Sequence, residues 1–339
     1  MRKSIIILSA ALLAAASCSD MIDAPVSQPA SEQEKTVITF DLGGDALTKA
    51  TAAGSENAVS SLQVLLFRNG TLYGSGKSTA SSLSMEVGPG TYNCYAFVND
   101  PTDWSGNASA TESGITSAVS KLESNTTSMF VMFGKLANKE ITASTKEVTI
   151  PVNRFVSKVE IDKISVNFDA EQYYDGMALK VTGIYLTNVF GTCPYSMTPS
   201  TSPAAGGTWY NKMGYVSEAK VNTLLSETGL NITIEDNASH SNAHYFYAYP
   251  NACSTDSQSG TWSARKTRLV IEAELDGEEC YYHIDIPDMK PNTLYKITEC
   301  TIKNVGGSSP EENFSAANLT FKISITDWAT GFSKEVIFE

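Results

Sequence analysis

The feature that most limits what this chain can fold into is its period. Apolar side chains recur at every second residue in short runs from Thr36 to the C-terminus. TVITFDL (36–42) puts Ile38, Phe40 and Leu42 on one side, and EVTIPV (147–152) does the same with Val148, Ile150 and Val152. Successive side chains of a strand point to opposite faces, so a two-residue period describes a sheet with one face on a core. LQVLLF (62–67) is apolar throughout, as for a strand covered on both faces, and Arg68-Asn69-Gly70 supplies a turn after it. GTYNCYAFVN (90–99), KVEIDKISVNF (158–168), LKVTGIYLTNV (179–189), HYFYAYP (244–250), TRLVIEAEL (267–275), CYYHIDI (280–286), LYKITEC (294–300), LTFKISITDWA (319–329) and FSKEVIFE (332–339) continue the series. Only ITSAVSKLES (115–124) and YVSEAKVNTLLSE (215–227) read as helices, both short. Strand following strand predicts an all-β chain of sandwiches rather than βαβ units.

A length of 339 residues suits two domains of about 150 residues each. A new run of long strands starts within VNRFVSKVEID (152–162), which sets the expected boundaries at 36–152 and 153–339. Hydrophobic residues make up 42%, enough for two cores, and the net charge is -13. That acidity argues against nucleic acid as a partner, since such binding rests on Lys and Arg neutralising phosphates.

The start of the chain reads as an export signal. Arg2 and Lys3 precede an apolar core from Ile5 to Ala16, too short for a bilayer that needs about 20 apolar residues. Ala15-Ala16-Ser17-Cys18 resembles a bacterial lipobox, which implies removal of residues 1–17 and acylation of Cys18 with a palmitate-type anchor on the outer membrane. Ordinary cleavage after Ala16 is the alternative. Residues 18–35, rich in Ser, Pro, Gln and acid, read as a flexible tether.

Beyond Cys18 there are five cysteines, Cys94, Cys193, Cys253, Cys280 and Cys300, an odd number without a CxxC spacing. The segments 280–286 and 294–300 flank PDMKPN and read as a hairpin. If its centre is Met289-Lys290-Pro291, Cys280 faces Cys300 across the strands. A disulfide there and two buried free thiols are both compatible with the sequence.

Several segments, taken in order, resemble one family. They are AVSSLQVLLFRNGTLYG (58–74), GPGTYNCYAFVND (88–100), MFVMFGK (129–135), VNRFVSKVEIDKI (152–164), LKVTGIYLTNV (179–189), PNTLYKITECTIKNVGGSSP (291–310) and FKISITDW (321–328). Together they resemble the Bacteroides-type fimbrillins, major subunits of surface fimbriae. The resemblance implies two transthyretin-like β-sandwiches in tandem, a lipoprotein precursor, and assembly with other fimbrial subunits by donor-strand exchange. It also implies a trypsin-like protease that cuts after Arg or Lys and frees the first strand.

The residues support the same expectation. TVITFDL is an alternating strand followed by the Gly-, Ala- and Ser-rich stretch 43–60, whose one basic residue is Lys49. Small-residue stretches of that kind are preferred sites of nicking, so cleavage is expected between Lys49 and Ala50. The donor candidate is the tail, with Phe332, Val336 and Phe338 apolar on one side. Packing on its own C-terminal domain is the other place for that strand.

The sequence carries no GxSxG, HExxH or glycine-rich phosphate motif, and no enzymatic activity, cofactor or metal is expected. His240 and His244 are spaced as HxxxH, without a nearby Cys or carboxylate in sequence, and His283 alternates within a strand. HYFYAYP puts Tyr245, Tyr247 and Tyr249 on one face, which is half core and half interface or a surface for stacking sugars. Alternatives to the stalk subunit are a tip or anchor subunit and a surface glycan-binding lipoprotein.

Overall fold

The computed structural model describes residues 34–43, 56–204, 206–254, 262–312, 319–328 and 333–338. Cys18, Lys49, Ala50 and Phe332 lie outside them. Up to Arg154 the strands are β1 (Thr36–Gly43), β2 (Leu62–Arg68), β3 (Thr71–Ser78), β4 (Ser82–Val87), β5 (Gly90–Val98), β6 (Val119–Lys121), β7 (Met132–Ile141), β8 (Glu147–Pro151) and β9 (Asn153–Arg154). A three-stranded sheet, β4-β1-β8, faces a five-stranded sheet, β3-β2-β5-β7-β9. Between them Ile38, Phe40, Val148 and Ile150 meet Leu62, Val64, Leu66, Tyr92, Ala96 and Met132.

The apolar run of β2 has the cause expected of it. Leu62, Val64 and Leu66 face this core, whereas Leu65 and Phe67 face a second one on the opposite side of the sheet. The second face of the sheet is covered by the 104–130 excursion, through Trp104, Ile115, Leu122 and Phe130, and by Phe155 and Tyr195 from further along the chain. Helix α1 (Glu112–Ser117) lies in that excursion, with Thr111 Oγ1 accepting from Gly114 N at 3.0 Å as its cap. It stops well before residue 124, because Val119–Lys121 instead pairs as β6 with the strand at 192–194.

Beyond Arg154 the strands are β10 (Ser157–Ile161), β11 (Ile164–Val166), β12 (Leu179–Thr187), β13 (Val189–Phe190), β14 (Thr192–Pro194), β15 (Trp209–Tyr210), β16 (Ser226–Ile234), β17 (Ser239–His240), β18 (His244–Ala248), β19 (Arg268–Leu275), β20 (Glu278–Asp285), β21 (Thr293–Ile302), β22 (Leu319–Asp327) and β23 (Ser333–Phe338). One sheet runs β17-β11-β21-β10-β18 and continues from β21 through β22 to β23; the other runs β16-β12-β19-β20. Helix α2 (Ala219–Leu225) buries Val221, Leu224 and Leu225 and is shorter than the 215–227 expected. The larger apolar cluster is continuous from Leu65 and Phe97 to Ile297 and Ile323, so the described residues from Glu34 onward pack as one compact unit.

The hairpin expected over 280–300 does not form. β20 pairs with β19 in the four-stranded sheet. β21 lies in the other sheet, parallel to β10 and β11 and antiparallel to β22. The connection crosses between sheets, with Ile286 and Met289 buried and the Tyr295 hydroxyl donating to Asp288 O at 2.8 Å. Cys280 and Cys300 are therefore not cross-strand neighbours, and both are free, buried thiols. Burial pushes the Cys300 thiol up to about 12. An alternating pattern records which face of a strand is apolar, not which strand lies beside it.

Candidate functional site

Strand β1 is the middle of its sheet. It pairs antiparallel with β4, from Thr36 opposite Val87 to Asp41 opposite Ser82. On its other edge it pairs parallel with β8, from Thr39 opposite Glu147 to Gly43 opposite Pro151. Among the described residues neither β4 nor β8 has another partner in that sheet. Ile38 and Phe40 are 0% and 1% exposed, whereas Val37, just before Ile38 and on the strand's other face, is 59% exposed, so the alternation read from the sequence is the one that packs. A Cβ at Gly43 would lie 2.1 Å from Thr149 Cγ2, so a side chain there would have to displace that threonine on β8.

This arrangement has a defined chemical consequence. Without β1, the facing edges of β4 and β8 carry unpaired N–H and C=O groups, and the core opens at the places of Ile38 and Phe40. Unpaired strand edges are templates for another strand. A segment with alternate apolar residues satisfies both the hydrogen bonds and the holes. Two large side chains returned to such a core contribute about 1.5–3 kcal/mol each.

The tail candidate is an outer strand. Among the described residues β23 pairs only with β22, with Phe338 opposite Phe321 and Val336 opposite Ile323. In this chain the tail strand thus lies along its own C-terminal sheet, one of the two places expected for it.

A third feature was not recognised in the sequence. Glu56 is the first described residue after the stretch that contains Lys49, and its side chain is buried at the junction of the sheets. Its Oε1 lies 3.0 Å from Lys158 Nζ and accepts from the Tyr247 hydroxyl. Its backbone carbonyl accepts from Arg154 Nε and Nη2, both at 3.3 Å. The Arg154 guanidinium stands 4.4 Å over the ring of Trp328, the residue after β22, and that ring stacks on Tyr247 at 5.9 Å. Burial lowers the Arg154 guanidinium to about 10, with Glu56 opposing. Burial first, then the Glu56 carboxylate, push the Tyr247 phenol up. The signal lay in VNRFVSKVEID, where Arg154 and Lys158 interrupt an apolar segment, but their partners are remote in sequence.

The tyrosine face of HYFYAYP is not open for stacking. Tyr245 is 43% exposed, but Tyr247 and Tyr249 are buried, and the Tyr249 hydroxyl bonds Ser120 Oγ at 2.6 Å. His240 and His244 stand side by side, their Nε2 atoms 3.3 Å apart. Among the described residues no group of three or more His, Cys, Asp or Glu side chains gathers as a metal cluster. No helix of the described residues is long and apolar enough to cross a membrane.

These sheets define a known class of fold, that of fimbrilins and related cell adhesion proteins of the Bacteroidales. A candidate cell adhesion protein of Bacteroides eggerthii superposes with a TM-score of 0.60 at 16% identity, over 87% of this chain and 97% of that one. A fimbrilin of Porphyromonas gingivalis does so with a TM-score of 0.59 at 14% identity, over 90% of this chain and 98% of that one. The tip fimbrial protein Mfa3 of Porphyromonas gingivalis gives 0.53 at 13% identity, over 87% and 100%. No protein-family model matches the chain, and no curated protein matches it. The likeness is one of fold.

Proposed function

We propose that this protein is a structural subunit of a cell-surface fimbrium, assembled by exchange of a strand. The observation that carries the reading is the placement of β1: it alone joins β4 to β8, and it is followed by a stretch whose one basic residue is Lys49. While the chain is intact, the tether holds β1 at an effective concentration on the order of mM, and no other strand competes. A trypsin-like cut between Lys49 and Ala50 removes that advantage. The vacated groove then takes residues 332–339 of a neighbouring copy, with Phe332, Val336 and Phe338 as the alternating apolar set.

In this reading the chain is exported as a lipoprotein through Cys18, reaches the outer membrane on its lipid, and passes into the fimbria after the cut. The glycan-binding alternative is weakened by the burial of Tyr247 and Tyr249.

The test is limited trypsin digestion of the purified full-length chain, followed by an unheated gel and N-terminal sequencing. A ladder of polymers whose subunits begin at Ala50 supports the stalk subunit. A stable monomer that retains residues 36–49 overturns it and favours an anchor.

A further inference from the structure

His240 ends β17 and pairs with Ile164, while His244 begins β18 and pairs with Ile161. The three residues between them turn the chain so that both rings meet at one end of the C-terminal sandwich. The Nε2 atoms lie 3.3 Å apart. On its far side the His244 ring is held by Glu227 of β16, whose Oε2 is 2.7 Å from Nδ1.

The carboxylate determines the tautomer. With the Nδ1 proton of His244 donated to Glu227, the Nε2 atom presents a lone pair toward His240. The Nε2 atom of His240 stands 3.3 Å from it. Two nitrogens on one tetrahedral ion, each bonded at about 2.0–2.1 Å, stand about 3.3 Å apart. A carboxylate on the remote nitrogen of a ligating imidazole is the usual orienting partner in such sites.

We propose that His240 Nε2 and His244 Nε2 form a two-point site for a borderline divalent transition-metal ion, of which Zn²⁺ is the probe, with Glu227 positioning the His244 ring. His244 is 8% exposed and gives the site a fixed wall, whereas His240 is half-buried, so the ion's remaining positions face solvent and are filled by water. Imidazole donors select Zn²⁺, Cu²⁺ and Ni²⁺ over Mg²⁺ and Ca²⁺. Two protein ligands make it an exchangeable site rather than a structural one.

Calorimetric titration of the full chain, purified without a histidine tag, with Zn²⁺ at neutral pH tests this. One saturable site is expected, absent in His240→Ala and in His244→Ala. Glu227→Gln should keep the stoichiometry and lose roughly 10–100-fold in affinity, the usual effect of removing an orienting partner. Mg²⁺ should not compete. His240→Ala, at a half-buried position, should melt with the parent in the absence of metal, which separates loss of a ligand from loss of the fold. No saturable binding up to millimolar Zn²⁺, or unchanged binding in His240→Ala, overturns the proposal.

Discussion

The Oε1 atom of Glu56 stands 3.0 Å from Nζ of Lys158, and the two side chains are only 2% and 7% exposed. A buried pair of this kind contributes little against an apolar substitute, but removing Glu56 leaves the buried Lys158 ammonium with only the more distant Glu160 carboxylate, 3.9 Å away. Glu56 is also the first described residue after the proposed cut, and its partner Lys158 stands 5.9 Å from the ring of Trp328, the residue after β22.

Glu56→Ala is therefore expected to destabilise the protein, by less than the roughly 3–5 kcal/mol of a fully orphaned buried charge, because Glu160 Oε2 remains 3.9 Å from Lys158 Nζ. Glu56→Gln, which keeps an acceptor for the Tyr247 hydroxyl, should cost less. Urea denaturation checks both. A loss below ~1 kcal/mol for the alanine variant would show that the junction does not depend on this pair.

Phe40 is 1% exposed, and its truncation leaves a cavity directly beneath β1. Phe40→Ala should lower stability by about 3–5 kcal/mol. In hydrogen exchange the amides of β1 should lose protection more than those of β5, which stays central in its own sheet. Uniform loss across both sheets would contradict a separately held strand.

Under the proposed assembly, Lys49→Ala blocks the cut. The variant should stay monomeric under trypsin concentrations that polymerise the parent, while its thermal midpoint is unchanged. Polymers from the variant, with β1 retained in each subunit, would refute cleavage at Lys49.

Deleting residues 332–339 removes β23, which pairs only with β22. The shortened chain should fold, accept a donor strand and fail to offer one, so that mixing it with the parent shortens the fibres. Fibres unchanged in length and number on cells that express only the deletion would refute the tail as donor.

His283 sits on β20 near Arg268 and Asp285. Burial, reinforced by Arg268, holds its pKa down at about 4, against 6.5 for a free imidazole. The unfolded chain then binds a proton that the folded chain refuses between these values. Stability is fully present above pH 6.5 and is lost as pH falls toward 4, by up to about 3 kcal/mol. Urea midpoints at pH 7 and pH 5 should fall less in His283→Gln than in the parent. Equal falls would show that His283 does not govern that range.

The separate elements were legible in the chain because each records its surroundings locally. Alternation over 36–42 shows one buried face, and the unbroken apolar run 62–67 shows two. An all-β fold of sheets packed face to face follows from the two-residue period alone. Which strands become neighbours did not follow. CYYHIDI and LYKITEC satisfy a hairpin and two opposed sheets equally well, and only the packed molecule assigns β20 beside β19 and β21 beside β10. The same holds for Glu56 with Lys158 and for His244 with Glu227, pairs made by chain crossings between layers. A side-chain pattern determines how a strand meets the core, whereas long-range partners are chosen by the joint packing of all the sheets, which no local stretch contains.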